Sequence, residues 1–323
     1  MRYPAIVLAS LALTAQAPPV ERYAAPPPDA EVEATSLGGR PLLRPQLDDD
    51  FRRRQESLLA EALARLDEDP ADADALIWAG RRTAYLGRYR EAVEVFTRGL
   101  ALHGGDARFL RHRGHRFITV RRLDDAVADL RRAAELIAGT EPVVEPDGLP
   151  NARGVPTGTL HSNVWYHLGL AHYLKEDFEQ ALAAYRECLA VSDNPDMLVA
   201  TSHWLYMTLR RLGREAEAAK VLEPIYAGLE VIENHDYLRL LLMYRGEKTP
   251  EELLHGDDGV GAATLGYGVG NWYFYNGDVE RALDVFRGVV AGDAWGAFGF
   301  IAAEAELARF SSAFAGADAR SLP

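Results

Sequence analysis

Apolar residues recur at spacings of three and four positions from residue 49 onward. In the first such segment Leu59, Ala62 and Leu66 keep this spacing, and Pro70 ends it. A spacing near 3.6 residues places apolar side chains on one face of an α-helix. Similar segments follow along the chain, so the sequence predicts an all-α fold from residue 49 onward.

The helical pattern repeats with a period of 34 residues. Gly80 is followed at that distance by Gly114, and Ala92 by Ala126. A fixed period of this size is typical of proteins built from repeated helix pairs. One pair cannot bury its own apolar face, so neighbouring pairs stack into a solenoid with a continuous core. We expect the small residues at these positions to let two helix backbones approach closely.

One segment carries a recognisable form of the repeat. Residues 165–169 read W-Y-H-L-G, and Ala181 and Tyr185 follow at the later positions. This arrangement resembles the tetratricopeptide repeat, whose pattern is W-x-x-L-G, an aromatic residue, A-x-x-x-F and a closing proline. The resemblance extends over residues 73–295, with 49–69 as a preceding half-repeat.

The resemblance implies both a fold and a class of function. It implies a right-handed α-solenoid of helix pairs over residues 49–310, ending in a capping helix over 295–310. It also implies a protein–protein interaction or scaffolding role with a peptide or a partner protein, and the sequence leaves self-association open. Neither an enzyme activity nor a cofactor is expected.

Both ends of the chain depart from the helical pattern. Residues 1–17 have the charged start, short apolar run and A-x-A site of a signal peptide. They predict export, in a bacterium to the periplasm, or a cytoplasmic protein if this segment is not a functional signal. Residues 18–48 are rich in proline and alanine and predict a linker, and 311–323 predict a flexible tail. No other segment is apolar enough to span a membrane.

A Pro/Gly-rich insertion interrupts the repeats at residues 140–160. Gly114 and Gly169 occupy equivalent positions but lie 55 residues apart, which is 21 more than the period. A long loop inside a compact repeat array is either disordered or functional, and the sequence leaves both open.

In this architecture the first helix of each pair lines a concave groove. The predicted groove positions carry basic, histidine, aromatic and amide side chains: Arg81, Arg108, Arg111, His115, Asn163, Tyr166, Tyr173, His203 and Arg210. Asp74 is the one acid on this stripe, although the net charge of the chain is −13. We therefore hypothesise that the groove binds an acidic or carboxylate-bearing peptide. Pairing of these arginines with carboxylates of neighbouring helices remains the alternative.

Composition excludes several other classes of function. The net charge of −13 and a pI near 5.2 argue against nucleic acid as the partner. The single cysteine, Cys188, excludes an intramolecular disulfide and a cysteine-based zinc site. The sequence has no G-x-S-x-G, P-loop or HExxH motif.

Two rival functions stay open beside peptide binding. The first is a small-ligand-binding or sensing protein, with a pocket where the 140–160 loop folds over Arg111, His115 and Tyr166. The second is an enzyme that uses the same pocket. An open groove would favour peptide binding, whereas an enclosed cavity with converging histidines and arginines would favour the rivals.

Overall fold

Helices follow one another from residue 49 onward in a computed structural model that describes residues 31–255 and 259–318. Consecutive helices pack against each other, except α9 and α10, and the first helices of successive pairs also contact each other. The predicted α-solenoid is therefore confirmed. The helices are α1 Asp49–Glu68, α2 Ala73–Tyr85, α3 Tyr89–Leu102, α4 Ala107–Thr119, α5 Leu123–Ile137, α6 Leu160–Leu174, α7 Phe178–Ala190, α8 Pro195–Arg211, α9 Glu215–Val221, α10 His235–Tyr244, α11 Pro250–Leu253, α12 Gly259–Tyr275, α13 Val279–Val290 and α14 Phe298–Asp318.

The repeated glycines pack where two helices of a pair meet. A Cβ atom on Gly80 would lie 2.4 Å from the Phe96 ring, and one on Gly114 would lie 2.7 Å from Leu130. Neither site has room for a larger residue, so the periodic glycines are required by packing. The expectation that these small residues allow close approach is confirmed.

The tight turn inside a pair uses a residue with positive φ. Gly87 and Gly277 fill this position in two pairs, with φ of 73° and 91°. Arg121 and Glu176 adopt the same backbone conformation without being glycine, with φ of 64° and 61°. A left-handed conformation costs an ordinary residue about 1 kcal/mol or more. Both residues form ion pairs from these turns, and the Arg121 side chain is almost fully buried.

The linker prediction for residues 18–48 is wrong for the part that forms a β-hairpin. Strands β1 Val32–Thr35 and β2 Pro41–Leu43 pair antiparallel, with Ala34 opposite Leu42. Those two side chains are buried with Trp295 and Phe300 near the other end of the chain. Strands this short give no readable alternation, so contacts distant in sequence decide their structure. The signal peptide predicted for residues 1–17 lies outside the described residues.

Helix α14 closes the stack and also reaches back across it. It packs on α12 and α13 as the predicted capping helix, but it begins at Phe298 and continues to Asp318, into the segment predicted as a tail. Two of its buried carboxylates form ion pairs with earlier elements: Glu304 with Arg121 in the turn after α4, and Glu306 with Arg211 at the end of α8. The concave face is thus partly filled by the chain itself. No helix in the described part has the length and apolarity to cross a membrane.

Replacing Glu306 by alanine is expected to destabilise the fold by about 1–3 kcal/mol, because the buried Arg211 loses its buried partner and keeps only the more exposed Glu176. Glu306 is 2% exposed and lies 2.6 Å from Arg211 Nη1 and 3.1 Å from Arg309 Nη1. Urea unfolding would measure the loss. Glu135→Ala is the control, because its ion pair with Arg132 is exposed and is expected to contribute at most about 0.5 kcal/mol. Equal losses in both variants would contradict the structural role of Glu306.

Candidate functional site

A cavity of about 380 Å³ lies between the concave face and the 140–160 loop. Helices α2, α4, α6 and α8 form its inner wall, and the loop covers it from outside. Phe298, at the start of α14, and Tyr237, near the start of α10, also line it. The site is therefore a partly covered cavity rather than an open groove.

The loop is held in place by hydrogen bonds along its length. Backbone bonds join Glu145 N to Gly158 O at 3.0 Å and Leu160 N to Val143 O at 2.8 Å, so the two ends of the loop run side by side. Near its middle, Arg82 Nη1 donates to Gly148 O at 2.7 Å. These contacts hold the loop in place as the outer wall of the cavity, so the loop is ordered.

Glu145 joins the loop to the inner wall. Its carboxylate lies 3.0 Å from both Arg111 Nε and His112 Nε2, and it accepts a bond of 2.7 Å from Asn163 Nδ2. Burial raises the pKa of Glu145, but Arg111 and His112 lower it by more, so it lies well below its usual range. Arg111 and Glu145 therefore neutralise each other as a buried ion pair.

The histidines of the cavity are neutral at pH 7. Burial lowers the pKa of His112 to about 4 and that of His167 to about 3, and it also lowers the pKa of His115 well below 6.5. His115 and His167 lie 4.4 Å apart between ring centroids, and Phe298 packs 5.3 Å from His115. These rings form an uncharged aromatic floor. Within the described residues, no group of three or more potential metal ligands converges.

Arg116 is a cation of the cavity that has no carboxylate partner among the described residues. Its guanidinium carbon lies 5.6 Å from the centroid of the Tyr89 ring, and no carboxylate of the described residues comes within ion-pair distance. Burial lowers the pKa of Arg116 to about 10, so it remains charged at neutral pH. Arg81, on α2, lines the same cavity over the Trp78 ring and makes only a long contact of 3.4 Å with Tyr85 Oη.

The cavity brings together five of the nine residues predicted for the groove. These are Arg81, Arg111, His115, Asn163 and Tyr166. They include the three residues of the rival pocket hypothesis, Arg111, His115 and Tyr166, and the loop does fold over them. Residues from the first half of the predicted stripe thus line this cavity.

The other four predicted residues lie outside the cavity. Arg108 pairs with Asp106 and Asp74. Tyr173 is buried against α12, His203 lies 3.2 Å from Tyr244 Oη of α10, and Arg210 donates to Asn276 just after α12. Tyr173, His203 and Arg210 thus contact α10 or α12, or the residue just after α12, and serve packing, whereas Arg108 forms ion pairs at the surface.

Sequence analysis missed four charged residues of the cavity: Arg116, Glu145, Asp147 and Glu233. Arg116 follows a predicted stripe residue directly, and its long side chain reaches the cavity from a neighbouring position on the helix. Glu145 and Asp147 lie in the loop, and Glu233 precedes α10. The acids of the Pro/Gly-rich insertion were the one available signal, and no local pattern marks Glu233.

Comparison with known proteins identifies one repeat directly. The family model for the tetratricopeptide repeat (TPR) matches residues 162–195, which include nearly all of α6 and the whole of α7. No curated protein matches the chain.

Several solved structures are similar in fold. YrrB, described as a TPR protein with an unusual peptide-binding site, is 15% identical, with 71% of this chain and 91% of its own covered and a TM-score of 0.42. A tetratricopeptide repeat protein from Parabacteroides merdae is 16% identical, with 78% and 94% covered and a TM-score of 0.48. MamA is 15% identical, with 63% and 99% covered and a TM-score of 0.41.

Proposed function

We propose that this chain, which carries a tetratricopeptide repeat at residues 162–195, is a protein-interaction module whose covered cavity receives a carboxylate group of the ligand. The carboxylate belongs either to the end or an acidic side chain of a peptide partner, or to a small molecule. Binding, without catalysis, is the function proposed.

The unpaired charge of Arg116 is the observation that carries this proposal. A charge that is partly removed from water without a partner costs more free energy than one that is paired. A ligand carboxylate can accept two parallel hydrogen bonds from a guanidinium, which makes arginine a good carboxylate receptor. Arg81 lines the same cavity and adds to the positive potential at Arg116.

The size of the cavity limits what can enter. A volume of about 380 Å³ is at the lower end of the range of roughly 300–1,000 Å³ common for small-ligand sites. A helix with its side chains is about 10–12 Å across and would not fit. Only a small molecule, or the end or a single side chain of a peptide, can reach Arg116 beneath the loop.

Replacing Arg116 by glutamine is expected to weaken carboxylate binding about 10- to 100-fold, the equivalent of one charged hydrogen bond. Calorimetric titration with acidic peptides, the same peptides with amidated ends, and small dicarboxylates would measure this and separate peptide from small-molecule ligands. Arg116 makes no ion pair in the described structure, so the variant is expected to fold.

Arg210→Gln is the matched control for this titration. Arg210 is a half-buried arginine of the same predicted stripe that lies outside the cavity. Its variant is expected to bind like the wild type. The proposal fails if the wild type binds no carboxylate ligand, or if Arg116→Gln binds as tightly as Arg210→Gln.

A further inference from the structure

Two carboxylates share the cavity with the arginines. Asp147 is carried by the loop, and Glu233 by the segment before α10. Arg81 and Arg116 lie on α2 and α4, which are earlier in the stack than α10. Glu233 therefore faces the cavity from a later level of the solenoid than the arginines do.

Among the described residues, neither of these carboxylates forms an ion pair with a cation. Glu233 accepts hydrogen bonds only from neutral donors, Thr157 Oγ1 at 2.5 Å and Asn151 Nδ2 at 3.2 Å. Asp147 Oδ2 is buried and has no hydrogen-bond donor. Burial and the nearby Glu233 raise the pKa of Asp147, and the positive charge of Arg81 offsets this rise only in part.

The balance of charge in the cavity restricts the ligand. Three arginines and three carboxylates line it, and Arg111 and Glu145 neutralise each other. The charges that remain are the positive ones of Arg81 and Arg116 and the negative ones of Asp147 and Glu233. A ligand with only carboxylates would satisfy the arginines but would add negative charge beside two uncompensated acids.

We infer that the ligand is dipolar and carries an ammonium group for Asp147 and Glu233 besides the carboxylate for Arg116. The class of ligand is an amino acid or a short peptide with both of its charged ends inside the cavity. This inference rests on the proposed carboxylate site and adds a second point of recognition to it. A ligand of zero net charge leaves the cavity neutral and gives Arg116, Asp147 and Glu233 a partner of opposite charge.

A random-sequence tripeptide pool tests the inference when it is compared with the same pool N-acetylated and with the same pool C-amidated. The wild type is expected to bind the free pool about tenfold more tightly than either blocked pool, the effect of one charged hydrogen bond at each end. Asp147→Asn is expected to lose the preference for the free amine and keep the preference for the free carboxylate. Arg116→Gln is expected to show the reverse.

The outcomes separate the two proposals. Equal binding of the free and N-acetylated pools by the wild type, with the carboxylate preference intact, overturns the dipolar ligand and leaves the carboxylate site standing. Equal binding of the free and amidated pools, or no binding of any pool, overturns both. Asp147 makes no hydrogen bond or ion pair in the described structure, so its isosteric variant keeps the fold, which a thermal unfolding curve would check.

Discussion

Replacing Glu145 by alanine is expected to lower the free energy of unfolding by about 3–5 kcal/mol, because it leaves Arg111 buried without its counter-charge. The carboxylate is buried between the loop and the inner wall, where it contacts Arg111, His112 and Asn163. The same substitution removes the central attachment of the loop. Faster hydrogen exchange is therefore expected across residues 143–149, and urea unfolding would measure the loss of stability.

Glu141→Ala is the matched control for this substitution. Glu141 is an exposed acid at the start of the same loop and takes no ion pair in the described structure. Its removal is expected to change the free energy of unfolding by no more than about 0.5 kcal/mol. If the two variants lose the same stability, Glu145 does not hold the loop.

Acidification is expected to destabilise the protein from about pH 6.5 downward, where an unfolded histidine begins to take up a proton. Burial lowers the pKa of His112 to about 4 and that of both His167 and His203 to about 3. The folded state thus keeps these rings neutral while the unfolded chain binds protons. Stability is complete above the unfolded pKa and is lost as pH falls toward the folded values, at about 1.4 kcal/mol for each histidine and pH unit.

Unfolding in urea at a series of pH values between 7.5 and 5.5 would measure this slope. His203→Gln is expected to reduce it, because the His203 side chain is fully buried and ionises only in the unfolded chain. His255→Gln is the control, since His255 is exposed. A free energy of unfolding that stays constant over this pH range would contradict the burial of the histidines.

The repeat pattern was sufficient to predict the solenoid but not the β-hairpin that packs against the other end of the chain. Gly80 and Gly114 recur because every pair needs the same close contact, so local periodicity reports the fold directly. The β-hairpin is not part of this periodic pattern. Its buried Ala34 and Leu42 pack on Trp295 and Phe300, which lie more than 250 residues later. Contacts of that range leave no trace in a local pattern.

The same distinction explains which part of the site could be predicted. Arg111 and His115 share a helix face, and helical spacing was enough to find them. The carboxylates that complete the cavity, among them Glu145 and Glu233, come from a loop and from a later level of the stack. Their positions depend on how the loop crosses the concave face, for which the sequence carries no periodic signal.

The most direct test of the covered cavity as the binding site is one calorimetric titration of three proteins. Wild type, Arg116→Gln and Arg210→Gln would each be titrated with the free tripeptide pool. We predict equal affinity for wild type and Arg210→Gln, and an affinity about 10- to 100-fold weaker for Arg116→Gln. Equal affinity of all three proteins would contradict a binding site at Arg116.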